Sequence, residues 1–170
     1  KSAFSEWSQH PISVRVEVVR RMLAFLTERA ESVAVALSEE TGRPLQESLG
    51  AEVLPSLEAL RFLVRNAECL LKTQRLSKTN IKTEAIPYGV VGIIGTWNYP
   101  LFLNIVPIAQ ALVAGNCVVW KPSELAPLST RVLLTLLRDS GATGGVLETV
   151  YGGASRSEEH TSELQSHSDL

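Results

Sequence analysis

The hydrophobic and polar positions of the chain form their clearest pattern in its middle. Residues 90–94 are a short β-branched stretch between glycines, which predicts a strand buried on both faces. Residues 101–114 are apolar almost throughout and predict a helix, and residues 117–120 predict a second buried strand. This is the pattern of a β-α-β unit. The turn at 96–100 and the polar exit at 121–124 should therefore share the sheet edge where ligands bind in parallel folds.

Helical periodicity dominates the chain before this unit. Ser13 is a candidate N-cap for a first helix. The apolar positions of this helix recur at i, i+4, i+7 and i+8, and they are Val18, Met22, Phe25 and Leu26. Its arginines are Arg15, Arg20, Arg21 and Arg29. We expect them on a solvated face rather than in a phosphate site, because charges on a helix face usually serve solubility.

Two further helices and a short strand complete the first half of the chain. The second helix covers residues 30–41 and ends at Gly42. A third helical region covers residues 45–71 and should be kinked or split just before Pro55. Residues 83–86 predict a short strand that leads into the β-α-β unit.

One more helix and one more strand are predicted after the β-α-β unit. Pro127 and Ser129 lead into a leucine-rich helix that closes at Gly141, and residues 146–151 predict a third parallel strand. The predicted fold class is therefore α/β, with N-terminal helices followed by a β-α-β-α-β Rossmann-like parallel unit.

Composition narrows the class of protein. The chain has 170 residues, of which 45% are hydrophobic and 20% charged, which suits a soluble domain with a real core. A net charge of −2 offers no basic field for nucleic acid, and the apolar runs are too short for a membrane span. Cys69 and Cys117 lie in apolar segments, so we expect reduced core thiols and a cytoplasmic protein. Because the chain starts at Lys1 with no leader pattern, we expect a longer or processed product.

The last fifteen residues differ from everything before them. Residues 156–170 lack apolar periodicity and resemble the translation of a common sequencing-library adapter. We expect them to be non-native, with the domain confined to residues 1–155; the alternative is a natural polar tail. Excluding this segment removes His160 and His167 and leaves only His10, so no metal site is predicted.

Four short motifs follow one another in the central region. They are Pro-x-Gly-Val-x-Gly-x-Ile ending at Ile94, Trp97-Asn98-Tyr99-Pro100, Ala114-Gly115-Asn116 and Lys121-Pro122-Ser123-Glu124. Together they resemble the aldehyde dehydrogenase superfamily, and a weaker resemblance extends from Ala3 to Gly153. The resemblance implies an incomplete cofactor domain from an enzyme that oxidises a small-molecule aldehyde to a carboxylic acid with NAD or NADP. We also expect the full-length protein to be a homo-oligomer.

Asn98 is the strongest candidate for a catalytic residue. A side-chain amide at a strand-to-helix turn can donate a hydrogen bond to an oxygen that gains charge when a nucleophile attacks an aldehyde. The resemblance assigns this oxyanion role to Asn98. The structural alternative is a turn asparagine that satisfies local backbone groups. Trp97 and Tyr99 either shape the mouth of an aldehyde pocket or belong to the core.

Lys121 and Glu124 form a second candidate pair at the exit of the second strand. The resemblance gives them the adenosine ribose hydroxyls of NAD(P), which an ammonium donor and a carboxylate acceptor can bind. The alternative is an exposed lysine and a solvated loop glutamate. Because a carboxylate repels a 2′-phosphate, Glu124 favours NAD over NADP.

The resemblance places Ser123 and the turn residues near the cofactor as well. These turn residues are Ile94, Gly95, Thr96 and Trp97. Thr96 stands where relatives often carry proline, so the resemblance does not predict a rigid turn here. The G-x-G-x-x-G pattern is not found in the sequence, and we predict no pyrophosphate clamp from it.

The chemistry of the family also needs a thiolate nucleophile and a glutamate general base. The sequence contains neither the glycine-flanked cysteine motif nor the general-base glutamate motif. We therefore expect an inactive N-terminal fragment of an aldehyde dehydrogenase. Two alternatives remain: a non-catalytic dinucleotide-binding or interaction module of the same fold, and an acyl-phosphate or acyl-CoA reductase.

Overall fold

The structure is a computed structural model that describes residues 2–75 and 80–153. It is an α/β fold in which helices precede and flank a parallel sheet. The helices are α1 (Ser2–Gln9), α2 (Ile12–Glu28), α3 (Ala30–Thr41), α4 (Leu45–Ser48), α5 (Leu54–Leu71), α6 (Phe102–Val113) and α7 (Pro127–Asp139). The strands are β1 (Gln74–Arg75), β2 (Lys82–Thr83), β3 (Val90–Ile94), β4 (Cys117–Lys121) and β5 (Leu147–Thr149). The predicted boundary at residue 156 lies outside the described residues.

The parallel sheet has the strand order β3-β4-β5. Its register aligns Val90 with Cys117 and Val118 with Leu147. Helix α6 connects the first two strands and α7 the next two, so the predicted β-α-β-α-β unit is confirmed. The short strand expected at 83–86 lies at Lys82–Thr83 instead, because its pairing partner is Gln74–Arg75 in an antiparallel ribbon.

The core lies between the N-terminal helices and the sheet. Met22 and Leu26 of α2, Leu60 of α5 and Ile108 of α6 are fully buried. Trp7 of α1 donates from its indole Nε1 to the backbone oxygen of Leu112 at 3.1 Å. Apolar periodicity in each helix thus turns one face toward a shared core, which is the main source of stability for such helices.

A turn of π-helix separates α4 from α5. Leu49–Val53 forms this turn, and Pro55 follows in the first turn of α5. Proline fits there because its missing N–H is not needed at a helix start. The predicted split near Pro55 is confirmed, and the wider turn places Glu52 in the interior.

The expectation that β3 is buried on both faces was wrong. Val90 is 60% exposed and Ile94 is 79% exposed, whereas Cys117 and Trp120 of β4 are buried. Within the described residues β3 pairs only with β4, so it has a partner strand on one side. An outer strand with an uncovered face exposes alternate side chains.

Three residue-level expectations were also wrong. Ser13 is not an N-cap, because the helix begins one residue earlier with Pro11 in the cap position and no side-chain cap. Arg15 is only 7% exposed and occupies the space that a Cβ at Gly115 would need. Cys69 is exposed, whereas Cys117 is buried as expected.

Candidate functional site

The ends of β3 and β4 lie side by side, as the sequence predicted. Ile94 pairs with Lys121 in the sheet register, and the Gly95 N–H donates to the Lys121 carbonyl at 2.7 Å. The turn that follows β3 and the exit that follows β4 therefore begin at adjacent backbone positions on one edge of the sheet. This edge is where parallel folds bind ligands.

Gly95 is required by this close approach. A Cβ at this position would lie 2.4 Å from Asn104 Oδ1 and 3.1 Å from Pro122 Cα. The buried Asn104 accepts a hydrogen bond from Trp120 Nε1 at 2.8 Å and donates from Nδ2 to the Pro100 carbonyl at 2.8 Å. Sequence reasoning missed Asn104, although a lone asparagine in an apolar helix was a visible signal.

Asn98 lies exposed in the turn between β3 and α6. Its side-chain amide has no hydrogen bond to any described residue, so the local backbone-satisfying role is not what the structure shows. Its main-chain carbonyl accepts a hydrogen bond from Arg43 Nη2. Trp97 is 61% exposed and Tyr99 is half-buried under the Arg43 guanidinium, 4.3 Å from the ring centroid. Neither aromatic side chain is buried in the core.

Arg43 and Glu52 are near this turn but were not predicted. Arg43 Nη1 lies 3.6 Å from Glu52 Oε1. The other oxygen of Glu52 accepts the Leu101 N–H at 2.8 Å, at the start of α6. Burial raises the pKa of the Glu52 carboxyl, and the hydrogen bonds from Leu101 and Phe102 oppose this effect. No local pattern signals this contact, because these residues are about 50 positions from the turn along the chain.

Lys121 and Glu124 form an ion pair at the exit of β4. Lys121 Nζ lies 3.4 Å from Glu124 Oε2, and the side chains are 20% and 51% exposed. A hydrogen bond from its own backbone N–H, followed by the contact with Lys121, holds the pKa of the Glu124 carboxyl below its ordinary value. The pair thus presents an ammonium donor beside an ionised acceptor, the groups that hydroxyls of a ribose can bind.

A cleft of about 380 Å³ opens next to this pair. Ser123 and Glu124 line it on one side, and α7 contributes Arg131 and Leu134 on the other. Ser123 is buried and its Oγ accepts the Leu125 N–H at 3.2 Å, so it also shapes the exit turn. Polar groups at the rim and apolar side chains within suit a nucleoside. Arg131 was missed, since it lies on the helix that follows the exit.

The turn residues predicted near the cofactor lie at the same sheet edge. The Ile94 side chain is 79% exposed. The Thr96 hydroxyl oxygen is buried and makes no hydrogen bond with the residues that the structure describes. Buried hydroxyls are usually hydrogen-bonded, so Thr96 has an unused donor and acceptor at this sheet edge. This observation and the donor–acceptor pair beside the cleft both fit a dinucleotide.

Cys117 is not placed to act as a reactive thiolate. Cys117 begins β4, and burial raises the pKa of its thiol above the ordinary value. Over residues 2–75 and 80–153, no three side chains converge as metal ligands. In the same ranges, no helix combines the length and apolar character needed to cross a membrane.

Comparison with known proteins assigns the chain to a family. A sequence model of the aldehyde dehydrogenase family matches residues 1–168. The chain belongs to the aldehyde dehydrogenase family. One relative is an N-succinylglutamate 5-semialdehyde dehydrogenase of Burkholderia cenocepacia (strain HI2424), 39% identical over 158 residues, or 89% of this chain. The chain spans 31% of the length of that relative.

Solved aldehyde dehydrogenase structures share this fold. One is a mutant aldehyde dehydrogenase C from Pseudomonas syringae with NAD+ and octanal, with a TM-score of 0.76 and 36% identity. The match covers 89% of this chain and 31% of that one. Another is the NADP-dependent glyceraldehyde-3-phosphate dehydrogenase from Bacillus halodurans C-125 with NADP, with a TM-score of 0.82 and 30% identity. That match covers 94% of this chain and 35% of that one.

Proposed function

We propose that residues 1–155 are the N-terminal part of an NAD(P)-dependent enzyme that oxidises an aldehyde to a carboxylic acid. One observation carries the proposal: Ile94 pairs with Lys121, so the turn that carries the unbonded Asn98 amide and the exit that carries the Lys121–Glu124 pair start side by side at one sheet edge. We propose that residues 156–170 are non-native. The full-length protein would be a cytoplasmic homo-oligomer.

Asn98 would act as the oxyanion donor. When a nucleophile attacks an aldehyde, the carbonyl oxygen gains negative charge, and a fixed amide N–H stabilises that charge more than it stabilises the ground state. The exposed amide makes no hydrogen bond within the described chain, which supports this role. Trp97, exposed beside it, would cover one side of the aldehyde.

Lys121 and Glu124 would hold the adenosine ribose of the cofactor, and Ser123 would line the nucleoside cleft. The Thr96 hydroxyl, together with Ile94 and Gly95 of the turn, would lie along the cofactor. When bound, NAD supplies the hydride acceptor for oxidation. We propose NAD over NADP, because Glu124 repels a 2′-phosphate. Arg131 in the same cleft works against this preference.

The nucleophilic thiolate and the general base would lie outside this chain. The alternative is a non-catalytic nucleotide-binding module of the same fold, for which the Lys121–Glu124 pair and the adjoining cleft would suffice. The sequence of the transcript beyond residue 155 separates the two functions. Aldehyde oxidation requires an in-frame continuation with a reactive cysteine, and a stop codon there would support the non-catalytic module.

Asn98→Ala in the full-length protein tests the proposed chemistry. The substitution removes a donor that acts mainly in the transition state, so kcat should fall by about 10²–10³-fold while the affinity for the cofactor stays constant. Steady-state kinetics with an aldehyde and fluorescence titration with NAD measure the two effects.

Asn116→Ala is the matched control for this test. Asn116 is buried and uses its side chain structurally, accepting the Gly89 N–H at 3.0 Å and donating to the Ala111 carbonyl at 3.3 Å. This variant should lower the thermal midpoint and leave the rate per folded molecule unchanged. An Asn98→Ala variant that loses only stability would overturn the oxyanion role.

A further inference from the structure

Arg43 makes four contacts around the turn that carries Asn98. Its Nη2 donates to the main-chain carbonyl of Asn98, and its guanidinium lies 4.3 Å from the Tyr99 ring centroid. On the other side, its Nη1 lies 3.6 Å from Glu52 and its Nε lies 3.7 Å from Glu47. A planar guanidinium can combine stacking, a directed hydrogen bond and ion pairs in this way, whereas a lysine ammonium cannot.

The backbone of Arg43 is itself held in place. Helix α3 ends at Gly42 with a φ of 70°, a conformation that favours glycine. The Ser38 hydroxyl then donates to the Arg43 carbonyl at 2.5 Å. The arginine therefore extends from a fixed helix end, and its side chain is only 20% exposed.

Glu52 holds the segment on the other side of Pro100. Its carboxylate accepts the Leu101 N–H at 2.8 Å and lies 3.4 Å from the Phe102 nitrogen, so it caps the start of α6. The residue has no exposed surface, and it lies in the π-helical turn Leu49–Val53. Such turns recur at functional sites, where the extra residue changes the direction of a side chain.

These contacts fix the backbone on both sides of Pro100 and leave the Asn98 side chain unbonded. The position from which the Asn98 side chain extends is then set by a backbone that Arg43 holds at residue 98 and Glu52 holds at residues 101 and 102, and only the side-chain rotamer remains to be chosen. We propose that Arg43 and Glu52 are positioning residues that hold Asn98 in its oxyanion-binding orientation. This inference rests on the proposed function.

A double-mutant cycle in the full-length protein tests the coupling. Arg43→Gln should lower kcat by about 10²-fold, the loss expected from a displacement of about 1 Å in a reacting group, with the Kd for NAD unchanged. Arg43→Lys should recover only part of the rate. In an Asn98→Ala background, Arg43→Gln should have little further effect on kcat, because the amide that it positions is gone.

Arg29→Gln is the matched control. Arg29 also stacks on an aromatic ring, 4.1 Å from the Phe25 centroid, but within the described residues no hydrogen bond or ion pair joins it to residues 96–102. We expect its removal to leave kcat unchanged. Hydrogen exchange of the peptide covering residues 96–102 provides a readout that does not need activity. Exchange there should quicken in Arg43→Gln and in Glu52→Gln, and should stay unchanged in Arg29→Gln.

The outcomes are distinguishable. Additive effects of Arg43→Gln and Asn98→Ala on kcat, or unchanged exchange at residues 96–102, would overturn the positioning role. A full-length wild-type protein that oxidises no aldehyde would instead defeat the proposed function. The exchange measurement would then still decide whether Arg43 and Glu52 hold the turn.

Discussion

At the scale of single residues, Asn98 and Glu124 are held in different ways. The Asn98 side chain makes no hydrogen bond within the described residues, and the backbone from which it extends is held by Arg43. Glu124 is exposed, and its carboxylate is oriented by the Lys121 ammonium at 3.4 Å. One group is therefore suited to stabilise charge that appears only during reaction, and the other suits a contact that forms when the cofactor binds.

Glu124→Gln tests this distinction in the full-length protein. The variant keeps the size of the side chain but removes the charge that accepts ribose hydroxyls and repels a 2′-phosphate. We expect NAD binding to weaken by about 1–3 kcal/mol, with the preference over NADP reduced and the chemical step unchanged. Equilibrium titration with both cofactors and single-turnover kinetics measure these quantities.

Glu58→Gln is the control for that variant. Glu58 is exposed on α5, away from the sheet edge, so the same chemical change should leave both cofactor affinities unaltered. Equal losses in the two variants would mean a general charge effect. An unchanged affinity in Glu124→Gln would mean that the carboxylate does not contact the ribose.

The residues that sequence reasoning found and missed differ in how local their signals are. Asn98, Lys121 and Glu124 stand in short motifs at strand ends, where type and position alone suggest chemistry. Arg43 and Glu52 contact the turn across about 50 residues of chain, so no local pattern identifies them. Arg15 was misplaced because its burial depends on the space beside Gly115, which no periodicity reveals.

At the scale of elements, two helices, α6 and α7, begin at carboxylates from distant parts of the chain. Glu52 caps α6, and Glu40 of α3 accepts the N–H groups of Leu128 and Ser129 at 2.6 and 3.0 Å, at the start of α7. Both carboxylates satisfy amide groups that a helix leaves unpaired and interact favourably with its N-terminus. The local sequence cannot reveal these two caps, whereas strand and helix positions follow from hydrophobic periodicity.

The contact between the ends of β3 and β4 predicts that alanine is poorly tolerated at Gly95 and well tolerated at Gly92. Gly95→Ala would place a Cβ 2.4 Å from Asn104 Oδ1 and 3.1 Å from the backbone of Pro122. The turn or the Trp120–Asn104 hydrogen bond must then shift, and we expect a loss of about 1–3 kcal/mol in stability, as in overpacked cores. The midpoint of thermal denaturation of the full-length protein and its kcat should both fall.

Gly92→Ala is the matched substitution within the same strand. No heavy atom of the described residues lies within 4 Å of a Cβ at Gly92 once its own neighbours are set aside, so alanine fits. Alanine also loses less conformational entropy on folding, and stability should stay equal or rise slightly. If Gly95→Ala were as well tolerated as Gly92→Ala, the close packing of the two strand ends would not hold in the protein.

At the scale of the whole molecule, the three most exposed large apolar side chains of the described residues lie on or just before β3, and they are Ile86, Tyr88 and Ile94. Tyr88 is 96% exposed, and Val90, Ile94 and Trp97 are each at least 60% exposed. Apolar surface gathered on one strand and its flanks marks a place where another part of a protein packs. The chain also spans only 31% of the length of a close relative. The sequence could predict buried strands here, but it could not show which face lacks its cover.

The purified 170-residue chain should therefore be unstable in isolation and should have no aldehyde dehydrogenase activity. The uncovered strand β3 favours association between chains, and the sequence lacks the cysteine and glutamate motifs that aldehyde oxidation needs. We expect aggregation or incomplete folding in light scattering and circular dichroism, with no aldehyde-dependent formation of NADH or NADPH. The full-length protein, assayed in parallel, should be soluble and active. A sharp, reversible thermal transition of a soluble monomer would show that the chain is self-sufficient, and turnover that persists through purification would contradict its role as a fragment.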